Sequence, residues 1–255
     1  MTRRIVIANL KGGVGKSTTV LNVGKALTEK GYRVLMVDLD PQAGLTASAG
    51  IDPYDLERSV YSLLLKDDVP LGRVMKPISE NLVIVPAQEN LTTAEILLAR
   101  QQKPPDRLKI ALDKTPVEFD YILIDTPPTL GTLTLNGLLA ANEAVIPVQA
   151  EYLAMRGVRA MLNTIEQVQN GLNPMLTIIG IVATLYDADS RISREAIQEM
   201  RSVFGELMFK TVVGRSDVIA EAPIEGQSVL EYTPDHAAAY AFRSLAQEIN
   251  ERGES

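Results

Sequence analysis

Short apolar runs alternate with segments of helical periodicity along most of the chain. Seven of these runs are predicted to be strands, at residues 5–8, 33–38, 82–86, 121–125, 144–148, 176–182 and 210–213. Strands that are apolar on both faces are typical of a parallel sheet covered by helices. Apolar residues at helical spacing predict helices at 17–29, 153–170, 194–204 and 234–251. The alternation predicts an α/β fold: a doubly wound, mostly parallel sheet flanked by helices.

The sequence shows no linker, internal repeat or low-complexity segment, so we expect a single domain over residues 1–255. Its least regular part is 41–80. With no cysteine and one histidine, the chain excludes disulfides, thiolate zinc sites and cysteine-bound iron–sulfur clusters, and it offers little for a Ser–His–Asp triad. No apolar run reaches about 18 residues, so no membrane helix is expected and a cytoplasmic protein is predicted.

A glycine-rich loop, IANLKGGVGKSTT at 7–19, lies between the first predicted strand and the first predicted helix. Glycines at Gly12, Gly13 and Gly15 let backbone N–H groups approach phosphate oxygens, and the helix adds its positive dipole end. Lys16 is expected to reach the terminal phosphates, and Ser17 to offer a hydroxyl to Mg²⁺. The alternative is a glycine turn that only caps a helix. The complete predicted phosphate cradle is Gly12, Gly13, Val14, Gly15, Lys16, Ser17 and Thr18.

Acidic residues follow two of the predicted strands. Asp125 ends the strand at 121–125, Asp38 ends the strand at 33–38, and Asp40 lies two residues further along. Ligands gather at the carboxyl ends of strands in open α/β sheets, so these acids are candidates for ordering Mg²⁺ and a water molecule. The alternatives are a strand-end cap for Asp125, and for the pair Asp38 and Asp40 a turn into Pro41.

The loop departs from the usual phosphate-loop pattern because Leu10 stands where a glycine is common and a second lysine, Lys11, follows it. The stretches KGGVGKSTT, VLMVDLDPQ and YILIDTPP together resemble the ParA-type partition ATPases, which include Soj and carry a deviant Walker A loop. The resemblance continues at 147–152, 180–184 and 220–223, and so spans nearly the whole chain.

The resemblance implies ATP and Mg²⁺ as cofactors and a homodimer when ATP is bound. In the family, Lys11 would cross the dimer interface to the partner's phosphates, and Lys16 would hold its own. Asp40 would position the attacking water, and Ser17, Asp40 and Asp125 would lie at the metal. Segments 40–46 and 125–130 resemble switch regions that reorder on γ-phosphate loss. The residues expected near adenine are Thr184, Gly214 and Arg215.

The same resemblance implies slow ATP hydrolysis stimulated by a ParB-like partner, nonspecific DNA binding and a nucleoid-associated location in the cytoplasm. The net charge of −7 does not favour polyanion binding in general, so local basic residues must carry it. The candidates are Arg191, Arg194, Arg201, Lys210, Arg215 and Arg243. The expected role is chromosome or plasmid segregation.

Several related functions remain as alternatives. A ParA-like protein could position another cargo, such as a carboxysome or a chemoreceptor cluster. A MinD-like division regulator would need a basic amphipathic membrane helix. Residues 243–252 instead have mixed charge, and their apolar positions Leu245, Ala246 and Ile249 look like a core-packing stripe. No membrane association is therefore expected. Nitrogenase iron protein and its relatives need cluster cysteines, which the chain lacks. Small-molecule enzymes with this loop, such as dethiobiotin synthetase, form a different class of explanation.

Overall fold

An eight-stranded sheet forms the centre of the fold in the computed structural model, which describes residues 2–100, 105–151 and 154–253. The strands are β1 (Arg3–Ile7), β2 (Val34–Asp38), β3 (Lys76–Ser79), β4 (Leu82–Val85), β5 (Tyr121–Asp125), β6 (Glu143–Gln149), β7 (Thr177–Tyr186) and β8 (Met208–Gly214). Their order across the sheet is β3-β4-β2-β5-β1-β6-β7-β8. Every neighbouring pair is parallel except β3 with β4. The predicted fold class is confirmed.

Helices cover both faces of this sheet. They are α1 (Lys16–Glu29), α2 (Gly44–Ser48), α3 (Val60–Leu65), α4 (Leu91–Arg100), α5 (Arg107–Asp113), α6 (Thr132–Ala140), α7 (Ala154–Gly171), α8 (Arg191–Phe204), α9 (Asp217–Glu221), α10 (Val229–Tyr232) and α11 (Ala237–Arg252). The four long helices predicted from periodicity correspond to α1, α7, α8 and α11. Predicted positions 152 and 153 lie outside the described residues.

Two buried apolar clusters hold the helices to the sheet. On one face, α1, α10 and α11 pack together through side chains that include Val20, Leu27, Phe242 and Leu245. Helices α3 to α8 cover the other face. The apolar stripe of α11 therefore lies against α1 and the sheet, as its sequence predicted. No helix within the described ranges is long and apolar enough to cross a membrane.

The strand register brings the candidate acids to one edge of the sheet. Asp38 of β2 and Ile7 of β1 both pair with Asp125 of β5, which lies between them. The glycine loop leaves the same end of β1 and leads into α1. Because the strands are parallel, their carboxyl ends meet here, at the position where ligands bind in open α/β sheets.

Candidate functional site

The glycine loop adopts a backbone that glycine favours. Gly13 and Gly15 have φ angles of 72° and 81°, in the left-handed region that side chains disfavour. The start of the loop is held by buried Asn9, whose Nδ2 donates to the carbonyl of Pro147 at 2.7 Å and whose Oδ1 accepts the N–H of Lys11 at 2.9 Å. A turn of this kind at the start of a helix is suited to bind phosphate.

Lys16 lies at the first position of α1 with its side chain buried. Its Nζ donates to the carbonyl oxygen of Lys11 across the loop at 3.4 Å. Burial lowers the pKa of Lys16, and the negative charges of Asp125 and Asp40 oppose that shift. The ammonium therefore lies within the electrostatic reach of both acids and of the loop backbone. A cation in this position is suited to bind an anion held in the loop.

Asp125 is fully buried, and neither of its carboxylate oxygens accepts a hydrogen bond from a described residue. Burial raises the pKa of Asp125 well above its usual range, and the charge of Asp38 raises it further, whereas Ser17 and Lys16 lower it by less. An unsatisfied buried carboxylate is costly to the fold, which makes Asp125 a candidate for binding a cation at this edge of the sheet. The simple strand-end cap considered from sequence is not what the geometry shows.

Asp38 and Asp40 have different environments. Asp38 is buried and accepts hydrogen bonds from the N–H and hydroxyl of Thr46, at 2.9 and 2.7 Å, and from the N–H of Asp40 at 3.0 Å. Burial raises the pKa of Asp38 to about 6. Asp40 is half-buried, and its Oδ1 accepts the N–H of Gln42. Asp38 thus orders the backbone that follows β2, and Asp40 remains available to a ligand.

A cavity of about 410 Å³ opens beside the loop. Its lining includes nine residues predicted from sequence: Gly12, Gly13, Gly15, Lys16, Ser17, Thr18, Asp40, Thr184 and Gly214. It also includes Gln42 and Pro128 from the two predicted switch segments, and Val213, which precedes the predicted Gly214. The residues that sequence reasoning missed are Thr19, Leu185, Ile219 and Phe242. Val14, Lys11, Arg215 and Asp125 are not among the lining residues. The cavity has a polar end at the loop and an apolar end suited to a flat ring such as a nucleobase.

Two residues predicted near adenine, Thr184 and Arg215, form contacts within the protein that the sequence did not indicate. The hydroxyl of Thr184 lies 2.9 Å from the carbonyl of Val14 and 3.1 Å from that of Val148, so it joins the loop to the sheet. Arg215 donates its backbone N–H to the carbonyl of Tyr186, and its side chain is exposed.

Lys11 lies outside its own phosphate cradle. Its Nζ contacts Oε2 of Glu151 at 3.0 Å and Oε1 of Gln149 at 3.1 Å, at the end of β6. About half of the side chain is exposed. The two lysines of the loop therefore point to different places, Lys16 to the cavity and Lys11 away from it.

Most of the basic residues predicted for DNA already have intramolecular partners. Arg191 pairs with Glu195, Arg194 donates to the carbonyl of Ala188, and Arg201 donates to the carbonyl of Lys210. Arg243 forms two hydrogen bonds with Glu29, at 2.7 and 2.9 Å, so its charge is neutralised locally. The side chains of Lys210 and Arg215 are exposed on and just after β8.

The residues at the loop fit a Mg²⁺ ion that is held partly by a bound phosphate. Asp125 supplies unpartnered carboxylate oxygens, and Ser17 lies next to it. Within the described ranges, no group of three or more His, Cys, Asp or Glu side chains is arranged to hold a metal by itself. Mg²⁺ commonly takes one or two protein oxygens and completes its shell with phosphate and water, so the donor set is sufficient only with a nucleotide.

The fold and the site define a P-loop nucleotide-binding protein with a deviant Walker A loop. A family model described as an AAA domain matches residues 2–178. The sporulation initiation inhibitor protein Soj of Bacillus subtilis is 40% identical over 99% of this chain and 100% of its own length. The chromosome-partitioning ATPase Soj of Thermus thermophilus is 42% identical, with 98% of this chain and 96% of that protein covered. The chain therefore belongs to the Soj/ParA family of partition ATPases.

A solved structure also resembles the chain closely. It is described as cobyrinic acid a,c-diamide synthase from Mycobacterium smegmatis with a bound ATP analogue and magnesium. That protein is 38% identical, with a TM-score of 0.87 and coverage of 100% of this chain and 97% of its own. The name belongs to a small-molecule enzyme, which is the alternative class considered from sequence.

Proposed function

We propose that the protein is an ATP-dependent dimerisation switch that binds nonspecific DNA and takes part in chromosome or plasmid segregation. It hydrolyses ATP slowly, and a ParB-like partner accelerates the reaction. The observation that carries the proposal is the pairing, in one loop, of a buried Lys16 facing the cavity with an exposed Lys11 facing away from it. The Soj relatives support the partition role.

In the proposed site, Lys16 and the loop N–H groups bind the phosphates of the subunit's own ATP. Ser17 and Asp125 hold Mg²⁺, which neutralises charge on the phosphates when it is bound. Asp40 orients the attacking water from the half-exposed turn after β2. The apolar end of the cavity, with Ile219 and Phe242, takes the adenine ring. Lys11 reaches the phosphates of the partner subunit, so that ATP joins two copies of the chain.

Residues 1–255 act as one ATPase domain, which works in the cytoplasm on the nucleoid. The dimer contacts DNA through basic residues without reading its sequence, and the partner protein acts on the ATP-bound form. The name of the Thermus thermophilus relative supports a chromosome as the cargo over a carboxysome or a chemoreceptor cluster.

Phosphate release in the presence of Mg²⁺ tests the catalytic part. Lys16→Ala should abolish ATP binding, because the variant removes the buried ammonium group that is expected to bind the terminal phosphates. Asp40→Ala should bind ATP normally and hydrolyse it at least about tenfold more slowly, because loss of a residue that positions water removes a transition-state interaction. Hydrolysis at the wild-type rate in both variants would contradict the assignment.

Sedimentation velocity tests the dimer. The wild-type chain should be monomeric with ADP and dimeric with ATP and Mg²⁺, and Asp40→Ala should accumulate the dimer. Lys11→Ala should bind ATP in the monomer but fail to dimerise. A Lys11→Ala variant that dimerises like the wild type would refute the crossing lysine.

The M. smegmatis structure makes a second function testable, the synthesis of cobyrinic acid a,c-diamide. The same purified protein should be incubated with ATP, Mg²⁺, cobyrinic acid and either glutamine or ammonia, and products should be identified by mass spectrometry. Stoichiometric conversion of cobyrinic acid would favour the small-molecule enzyme. Our proposal expects no conversion, together with ATP hydrolysis that DNA and a ParB-like protein stimulate.

A further inference from the structure

Three side chains form a closed group at the end of β6. Lys11 Nζ lies 3.0 Å from Glu151 Oε2 and 3.1 Å from Gln149 Oε1. The amide of Gln149 in turn donates from Nε2 to Glu151 Oε1 at 2.5 Å. One carboxylate and one amide oxygen thus hold the ammonium of Lys11 on its own subunit. Neither contact is needed to shape the phosphate cradle, which Asn9 and the glycines form.

The backbone on both sides of this contact is held in place by other groups. Asn9 joins the loop to β6, where its Nδ2 donates to Pro147. Beyond the strand, the N–H of Ala150 donates to the carbonyl of Thr184, and the N–H of Glu151 donates to that of Gln149. The position of Glu151 relative to Lys11 is therefore set by the sheet, while their side chains, each about half exposed, can separate without unfolding anything.

We propose that Glu151, assisted by Gln149, is a positioning residue that competes with the partner subunit's nucleotide for Lys11. This inference rests on the proposed dimer, in which Lys11 crosses the interface. Lys11 has one ammonium group, and it cannot stay bound to Glu151 in its own subunit while it binds phosphates in the other. Dimerisation must then break this contact in both subunits. The free-energy cost of breaking it disfavours dimers that lack ATP.

The size of the effect on the dimer dissociation constant follows from the solvent exposure of the ion pair between Lys11 and Glu151. An exposed ion pair changes an equilibrium by up to about fivefold, and a dimer breaks two such pairs. Removing the carboxylate charge should therefore lower the dimer dissociation constant by about twofold to twentyfold. The effect should shrink at 0.5 M salt, because charges exposed to solvent are screened over about 4–5 Å at that ionic strength.

The test compares the wild type with Glu151→Gln, which keeps the shape of the side chain. The dimer dissociation constant is measured by sedimentation in Mg²⁺ and a non-hydrolysable ATP analogue at low and high salt. Glu166→Gln is the matched control, because Glu166 is an exposed glutamate on α7 and the change of charge is the same. Tighter dimers at low salt for Glu151→Gln alone would support the proposal. An unchanged or weaker dimer would overturn it.

A second pair of variants separates this inference from the function on which it rests. Glu151→Gln should not restore the dimer in a Lys11→Ala background, because it acts only by releasing Lys11. If Lys11→Ala dimerises like the wild type, both the crossing lysine and the positioning role fail. If Lys11→Ala loses the dimer and Glu151→Gln does not tighten it, only the positioning role fails. Binding of a fluorescent ATP analogue to the monomer checks that each variant is folded.

Discussion

The carboxyl group of Asp125 illustrates, at the scale of one residue, how the site differs from the core around it. It is fully buried in the sheet, its oxygens accept no hydrogen bond from the described residues, and Asp38 lies near enough to repel its charge. A fold selected for stability alone would not keep such a group. Its retention is consistent with a binding role that needs negative charge, at a cost to the protein without its ligand.

We therefore predict that Asp125→Asn stabilises the protein in the absence of nucleotide. An amide of the same shape removes a buried charge whose oxygens accept no hydrogen bond from the described residues, so the free energy of unfolding should rise by roughly 1–3 kcal/mol at pH 8. The same variant should lose Mg²⁺-dependent ATP hydrolysis. Urea unfolding without nucleotide and a phosphate-release assay measure the two effects. A variant that is less stable than the wild type at pH 8 would contradict the interpretation.

The dependence on pH gives this prediction its internal control. The folded-state pKa of Asp125 is raised, so the ionised carboxylate destabilises the fold at high pH and protonation relieves the cost as pH falls. The advantage of Asp125→Asn should then shrink between pH 8 and pH 5. A difference in unfolding free energy that stays constant over this range would show that the carboxylate charge is not the cause.

At the scale of the element, β8 shows how a sheet edge is closed by side chains. The N–H groups of Lys210 and Thr211 donate to the carboxylate of Glu248 on α11, at 2.8 and 2.7 Å. The carbonyl oxygen of Lys210 on this strand accepts a hydrogen bond from the side chain of Arg201, on α8, at 3.1 Å. These bonds satisfy backbone groups that an edge strand would otherwise offer to another chain.

We predict that Glu248→Ala lowers the free energy of unfolding by about 1–3 kcal/mol, because two backbone donors lose a charged acceptor. The matched control is Glu195→Ala, which breaks an exposed pair with Arg191 on α8 and should cost about 0.5 kcal/mol or less. Urea denaturation monitored by circular dichroism measures both variants. Equal losses in the two variants would mean that the edge bonds add nothing beyond an ordinary surface contact.

The elements also show which features the sequence can predict. Strands such as β5 and helices such as α1 were predicted because their apolar patterns are local. The edge strand β3 was missed: it has four residues, and its exposed Lys76 and Pro77 give no apolar run. Its pairing with β4 is the one antiparallel pair of the described sheet.

The candidate site likewise has features that the sequence predicts and features that it does not. The glycine loop that lines the cavity could be predicted because its glycines, lysines and hydroxyl are contiguous in sequence, and phosphate binding by this loop stays a prediction. The apolar wall of the cavity was missed, since Ile219 and Phe242 reach it only through the packing of α9 and α11 against the sheet. The partner of Lys11 was missed for the same reason, because β6 places Glu151 beside the loop. Local spacing carries no information about such contacts.

At the scale of the whole molecule, charge works against the proposed DNA binding. The net charge is −7, so the chain as a whole is repelled by a polyanion. Binding must come from a local surface and from doubling that surface in the dimer. Four of the six candidate basic residues are engaged in contacts within the chain, which leaves Lys210 and Arg215, exposed at the β8 edge of the sheet, as the strongest candidates.

We therefore predict that DNA binding requires ATP, weakens steeply with salt, and depends on the β8 edge. Lys210→Ala should weaken binding of random duplex DNA, because it removes a cation that neutralises a phosphate. It should also reduce the slope of log affinity against log salt by about 1 for each phosphate that is no longer neutralised. Lys76→Ala is the matched control, because Lys76 is an exposed lysine on β3, at the opposite edge of the sheet.

Fluorescence anisotropy with labelled DNA, Mg²⁺ and a non-hydrolysable ATP analogue measures the slopes. Equal slope changes in both variants would place the DNA-binding surface elsewhere, and binding that is equally strong with ADP would separate DNA recognition from the dimer.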